Sequence, residues 1–139
     1  MHRPLLLGLL GAHIQASRTP FMHEQEAAAH GLRCEYRLLD LGALASDDTE
    51  AHLERLLVAA EREGFAGLNV THPCKQRIMP LLGSLSDDSR ALGAVNTVVF
   101  TAGTRVGHNT DWWAFRESFR HGLPDATVGR IVQLGAGGA

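Results

Sequence analysis

The densest run of chemistry-bearing side chains is Asn69-Val70-Thr71-His72-Pro73-Cys74-Lys75. An amide, a hydroxyl and a lysine follow a short apolar stretch there, and ligand-binding groups of open α/β sheets gather at such strand ends. Ser17 and Thr19 follow the apolar run at 5–11 in the same way. Asn96 opens a valine-rich stretch, and Asn109-Thr110-Asp111 sits at the start of a helical pattern. Hydroxyls, amides, one lysine and one aspartate suit a small polyhydroxylated ligand that carries a carboxylate. Several neutral donors can hold such an anion, because a charge-assisted hydrogen bond is stronger than a neutral one. Each residue also has a purely structural reading: Thr19 and Asp111 as helix N-caps, Ser17 as a turn residue, Lys75 as a solvated charge. The histidines show no metal-ligand spacing, so no metal is expected, and Trp112 and Trp113 read as packing residues.

The elements that would position these groups follow from the apolar periodicity. Residues 5–11 could pass for the core of a secretory signal, but one basic residue precedes them and no small-residue cleavage site follows. They fall far short of the ~18 residues that a membrane span needs. They read instead as a buried parallel strand. Thr19-Pro20 starts a helix over 21–30, which Gly31 stops. A strand follows at 34–39. Asp48 or Thr49 caps a helix over 50–63, with Leu53, Leu56, Leu57 and Ala60 on one face and Gly64 at its end. A strand at 65–70, short helices at 75–79 and 87–92, and a hairpin of 95–100 with 104–108 come next. A helix over 111–121, stopped by Gly122, leads to a strand at 130–134 and then to Gly135-Ala136-Gly137-Gly138-Ala139. The expected class is α/β, a mostly parallel open sheet flanked by helices.

The bulk numbers limit the function classes. A chain of 139 residues, 45% hydrophobic, has enough apolar material for one packed domain. Its formal charge of −2 comes with no basic stripe, so neither nucleic acid nor a membrane surface is an expected partner. Cys34 and Cys74 lack disulfide or zinc spacing and read as reduced cytosolic thiols. A strand running into glycines is how a dinucleotide-binding unit begins. Five such residues alone fit a generic loop equally well, and no Gly-Lys-Ser/Thr ending supports a P-loop.

Four ordered motifs carry a resemblance. The stretch from Asn69 to Lys75 resembles the Asn-Val-Thr-x-Pro-x-Lys signature of the shikimate dehydrogenase family. The turn Ser17-Arg18-Thr19-Pro20-Phe21-Met22-His23 resembles that family's Ser-x-Ser-Pro-x-x-His turn. Gly93-Ala94-Val95-Asn96-Thr97 and Gly107-His108-Asn109-Thr110-Asp111 match its other two segments. The Ser-Arg-Thr-Pro turn, together with Gly122-Leu123-Pro124, looks like the bacterial quinate/shikimate branch.

The resemblance implies an NAD(P)-dependent oxidoreductase that interconverts shikimate and 3-dehydroshikimate, and quinate with 3-dehydroquinate. Lys75 and Asp111 would be its catalytic acid–base pair. Burial would favour a neutral lysine and the carboxylate an ammonium, and the sequence leaves that balance open. Ser17 and Thr19 would bind the substrate carboxylate, with Thr71 assisting and Asn96 on the ring hydroxyls. Residues 1–110 would form the substrate-binding domain and 111–129 a connecting helix and linker. Residues 130–139 would be the first strand and glycine loop of a truncated Rossmann domain. There Gly135, Gly137, Gly138 and Ala139 would hold NAD or NADP, with a lean to NAD. The 139 residues alone would be inactive, the setting cytoplasmic, and a homodimer stays open. Two departures stand out: Thr19 replaces a serine, and Trp112 replaces a small glycine. A non-catalytic binding module for a hydroxylated carboxylate and a paralogous dehydrogenase of another ring acid remain the alternatives.

Overall fold

The run Leu5–Gly11 is strand β1, and its neighbours show why so apolar a segment is tolerated. In this computed structural model, which describes residues 3–42, 49–101, 103–127 and 129–135, β1 pairs in parallel with β2 (Cys34–Asp40) on one edge. It pairs in parallel with β3 (Gly67–Val70) on the other. Both edges are therefore satisfied, and alternate side chains enter separate cores on the two faces. Leu10 packs with Leu68, Val70, Val95 and Val98 against Leu53, Leu57 and Ala60 of helix α2 (Thr49–Glu63). Leu53 and Leu57 are fully buried, which stabilises the fold by about 1.5–3 kcal/mol per side chain. On the opposite face Leu9, Ile14 and Tyr36 form a smaller core, on the side where helix α1 (Thr19–Ala29) contacts β1 and β2.

The remaining elements are helix α3 (Cys74–Arg77), a 3-10 turn (Met79–Leu81), β4 (Ser84–Leu85), α4 (Asp87–Leu92), β5 (Thr97–Thr101), β6 (Thr104–His108) and α5 (Asp111–Gly122). The six strands are ordered β2-β1-β3-β5-β6-β4. The sheet is flanked by helices as expected, but it is mixed: β1–β2, β1–β3 and β4–β6 are parallel, while β3–β5 and β5–β6 are antiparallel. The hairpin that turns at Gly103, with φ +80°, forces one of those antiparallel ladders. Arg105 ties β6 to α2, donating to Glu54 at 2.6 Å and to both Glu61 oxygens at 2.9 and 3.1 Å. That pairing is what permits a guanidinium side chain only 13% exposed.

Several local expectations change. Helix α1 starts at Thr19, with Arg18 in the N-cap position and no side-chain cap. The Thr19 hydroxyl is therefore free of a capping role. Strand β3 begins at Gly67 and β5 at Thr97; just before β5, the Asn96 carbonyl accepts from Val70 N–H and its own N–H donates to His108 O. Strand β4 is two residues long and too short to show any periodicity. Helix α5 runs through Gly122 and is capped by Leu123.

The strand expected over 130–134 does not form. Ile131, Val132 and Leu134 are 78%, 84% and 94% exposed with no ladder beside them, and a strand is defined by the neighbour it pairs with. Asp48, Gly137, Gly138 and Ala139 lie outside the described residues. Among the described residues no helix is long and apolar enough to cross a membrane.

Candidate active site

The exits of β1 and β3 are stitched together before either reaches a functional side chain. Thr71 N–H donates to Leu10 O at 2.9 Å, and Ala12 N–H donates to His72 O at 3.0 Å. Gly11 makes this approach possible. A Cβ there would collide with the Thr71 methyl and lie 3.1 Å from the His72 carbonyl. The Thr71 hydroxyl itself engages no partner among the described residues. The chain then turns through a cis His72–Pro73 bond into α3, and Val95 N–H fixes that helix by donating to Lys75 O at 2.8 Å.

Lys75 is held from below by its backbone and from above by its side chain. Its side chain is 17% exposed, and Nζ donates to Asp111 Oδ2 at 2.7 Å. Asp111 lies in the first turn of α5, where the helix dipole favours a carboxylate. Asn96 Nδ2 donates to Asp111 Oδ1 and to Thr110 Oγ1, each at 2.9 Å. Asn96 Oδ1 accepts from Thr110 N–H at 3.1 Å and from the Thr97 hydroxyl at 3.0 Å. Asn109, 7% exposed, accepts from Asp111 N–H at 3.0 Å and donates to Ala94 O at 3.1 Å. The lysine and carboxylate thus meet in an orientation set by two asparagines. Beneath them burial pushes the Cys74 thiol up to about 11, so it stays protonated at neutral pH.

Ser17 and Thr19 form a separate corner at the β1 exit. The Ser17 hydroxyl donates to Thr19 Oγ1 at 2.9 Å and accepts from Thr19 N–H at 3.2 Å. That leaves the Thr19 hydroxyl proton for an outside acceptor. Of the expected residues, the structure brings Lys75, Asn96 and Asp111 into one bonded cluster and pairs Ser17 with Thr19. Both amide protons of Asn96 and its oxygen are engaged within the protein.

A cleft of about 700 Å³ opens beside the cluster. Lys75, Asn109 and Asp111 line one side, Trp112 and Phe115 form an apolar wall, and residues 131–135 lie across from them. Gly135, the described residue of the glycine loop, has φ +94° and is part of this lining. Trp112 packs under the Arg116 guanidinium, 5.3 Å from the ring centroid, and its indole Nε1 is buried without a partner.

Sequence reasoning gave no role of their own to Asn109, Tyr36 and Asp40. Asn109 had a signal, an asparagine two residues before a helical aspartate. Tyr36 donates to Asn69 Oδ1 at 2.7 Å with His23 stacked on its ring at 5.0 Å, a contact between strands that no local spacing reveals. Asp40, which binds the loop after β1, had no signal either.

The arrangement sets a lysine–carboxylate pair at the edge of a cleft, while the Ser17 and Thr19 hydroxyls form a separate corner outside that cleft's lining. Comparison with known proteins identifies the family. Residues 9–98 match the model of the shikimate dehydrogenase substrate binding domain. The chain is 53% identical to a shikimate dehydrogenase (NADP(+)) of Streptomyces avermitilis, over 96% of this chain and 45% of that protein. It is 49% identical to a quinate/shikimate dehydrogenase (NAD(+)) of Corynebacterium efficiens, over 99% and 48%. The solved quinate dehydrogenase of Corynebacterium glutamicum in complex with NAD superimposes with a TM-score of 0.86 at 48% identity, covering 97% of this chain and 48% of that one. The chain spans about half the length of the curated relatives it matches. With a matched family model over most of its length and the ordered cluster that model covers in part, this chain belongs to the shikimate dehydrogenase substrate-binding-domain family.

Proposed function

We propose that this chain is the substrate-binding and proton-handling half of an NAD(P)-dependent dehydrogenase that interconverts shikimate and 3-dehydroshikimate, and quinate with 3-dehydroquinate. The observation that carries the reading is the 2.7 Å contact of Lys75 Nζ with Asp111 in a cleft. Lys75 Nζ, oriented by that carboxylate, is the group placed to carry a proton. In the reductive direction it donates a proton to the carbonyl oxygen of the substrate and stabilises the negative charge developing there. Solvent then restores the proton through the open cleft. Asp111 fixes the lysine and Asn96 fixes Asp111; a contact of Asn96 with ring hydroxyls would replace its bond to Thr110. Ser17 and Thr19 hold the substrate carboxylate, and Thr71, whose hydroxyl is unpartnered, assists.

The nicotinamide cofactor supplies or accepts the hydride. The described residues fit such a group at one end of the cleft, where the Trp112 and Phe115 wall faces Gly135. In this reading residues 1–110 bind substrate, 111–129 connect, and 130–139 open a nucleotide-binding domain. Gly135, Gly137, Gly138 and Ala139 then approach the pyrophosphate of NAD or NADP. Cytoplasmic operation accords with two free thiols, and a homodimer is the assembly to test by light scattering.

The test measures oxidation of shikimate and of quinate with NAD and with NADP by the full-length protein, beside Lys75→Ala. Turnover should fall by about 10²–10⁴-fold in the variant while its melting temperature is kept, and the ratios identify the branch. Saturable binding without turnover in the wild type would make the chain a binding module instead.

A further inference from the structure

The loop that carries Ser17 is fastened to the end of the neighbouring strand by one carboxylate. Asp40 closes β2, and both of its oxygens accept two hydrogen bonds. Oδ1 takes the N–H of His13 and of Gly42, each at 2.9 Å. Oδ2 takes Ile14 N–H at 3.2 Å and the Gln15 side-chain amide at 2.8 Å. His13 adopts φ +56°, a left-handed conformation rare for a residue with a side chain. Such a conformation persists where its surroundings over-determine it, and here the N–H groups of the two peptides that flank His13 point at one carboxylate. The next link is direct: Ile14 O accepts from Ser17 N–H at 2.9 Å, and Ser17 Oγ accepts from Thr19 N–H. Leu41 N–H bonds to Gly11 O at 2.8 Å and closes the loop from its other side.

We propose that Asp40 is a positioning residue for the carboxylate-binding corner, setting where the Ser17 and Thr19 hydroxyls stand without touching the substrate. With four donors on its two oxygens, Asp40 has no lone pair aimed at a ligand, and its charge is spread over the loop instead of facing an incoming anion. This inference rests on the reading of Ser17 and Thr19 as donors to the substrate carboxylate. A group acting in this way changes substrate affinity and leaves the proton transfer at Lys75 alone. Its effect is also confined to substrates that present a charged carboxylate. A general loss of fold shares neither property.

The experiment uses the full-length protein with Ser17→Ala, Asp40→Asn and Gln15→Ala, assayed on shikimate and on its methyl ester. Gln15 is exposed, so its truncation removes one donor to Asp40 with little risk to folding. For Asp40→Asn the KM for shikimate should rise about tenfold, the cost of weakening bonds to a charged group. The kcat should stay within about twofold of wild type and the ester KM should be unchanged. Gln15→Ala should move the shikimate KM in the same direction by less. If Ser17→Ala raises KM but neither Asp40→Asn nor Gln15→Ala does, the positioning role is wrong while the corner stands. An equal KM rise on acid and ester makes Asp40 merely structural and overturns it too. Absence of wild-type turnover on either acid removes the dehydrogenase reading and this inference with it.

Discussion

Around Lys75 the charged and amide groups are committed within the protein, whereas in the Ser17 turn a hydroxyl proton is left over. Lys75 holds Asp111 Oδ2, Asn96 holds Oδ1, and Asn109 receives the Asp111 N–H. The β1 corner has one hydroxyl pair, with the Thr19 proton unspent, fastened at a distance by Asp40. On the proposed reading, the first arrangement is that of a group whose position is fixed before the substrate arrives. The second is that of a receptor, whose donors gain their full value only when an anion enters. That reading puts chemistry and recognition on different elements, α3 and α5 for one, the β1 exit and α1 for the other.

Substitutions can separate the two regions. The largest effect among these is expected for Asp111→Asn. The amide keeps the shape but loses the charge-assisted contact with Lys75, and kcat should fall by about 10–100-fold, the range of a hydrogen bond to a charged group. Steady-state kinetics with saturating substrate reads this directly. Next, Ser17→Ala and Thr19→Val should each raise the KM of the acid substrate by about tenfold with kcat within about twofold. A fall in kcat as large as that of Asp111→Asn would erase the division of labour.

The smallest effect is on stability in acid. Asp40 is held below the usual carboxylate range by the Gly42 N–H first, and also by the Gln15 amide and the His13 and Ile14 N–H groups. Its contribution is therefore present above the unfolded-state value near ~3.9 and is lost as pH falls through the lower folded-state value. The urea midpoint of the wild type should drop more between about pH 6 and pH 3 than that of Asp40→Asn. Equal drops would mean that the carboxylate contributes nothing to the corner.

The two regions also differ in how much of them the sequence discloses. Local spacing leaves Lys75 readable as a solvated charge and Asp111 as a helix cap, and the ordered motifs are what single them out; the 3.6-residue period places Leu53, Leu57 and Ala60 correctly on the buried face of α2. The Ser17 turn is visible, but its support is not. Asp40 lies 23 residues beyond Ser17 and meets the loop only because β1 and β2 pair with Gly11 opposite Asp40. Asn96 reads as a substrate contact from its type, yet its partners are fixed by the fold at Thr110 and Asp111. The antiparallel β3–β5 ladder is hidden for the same reason, since strand direction is set by the connection and not by the residues paired. The segment 130–134 shows the converse: its apolar residues before a glycine run read as a strand, but it has no ladder partner among the described residues and none forms.

The central claim is that Lys75 and Asp111 act as one proton-handling unit, and a double-mutant cycle on kcat tests it most directly. Full-length Lys75→Ala, Asp111→Asn and the double variant would be compared at saturating substrate and cofactor. If the pair works as a unit, the double variant should be no slower than Lys75→Ala alone, because Asp111 has nothing left to hold. Losses that multiply would mean that the two residues act independently, and the 2.7 Å contact between them would then be an ion pair beside the chemistry and not part of it.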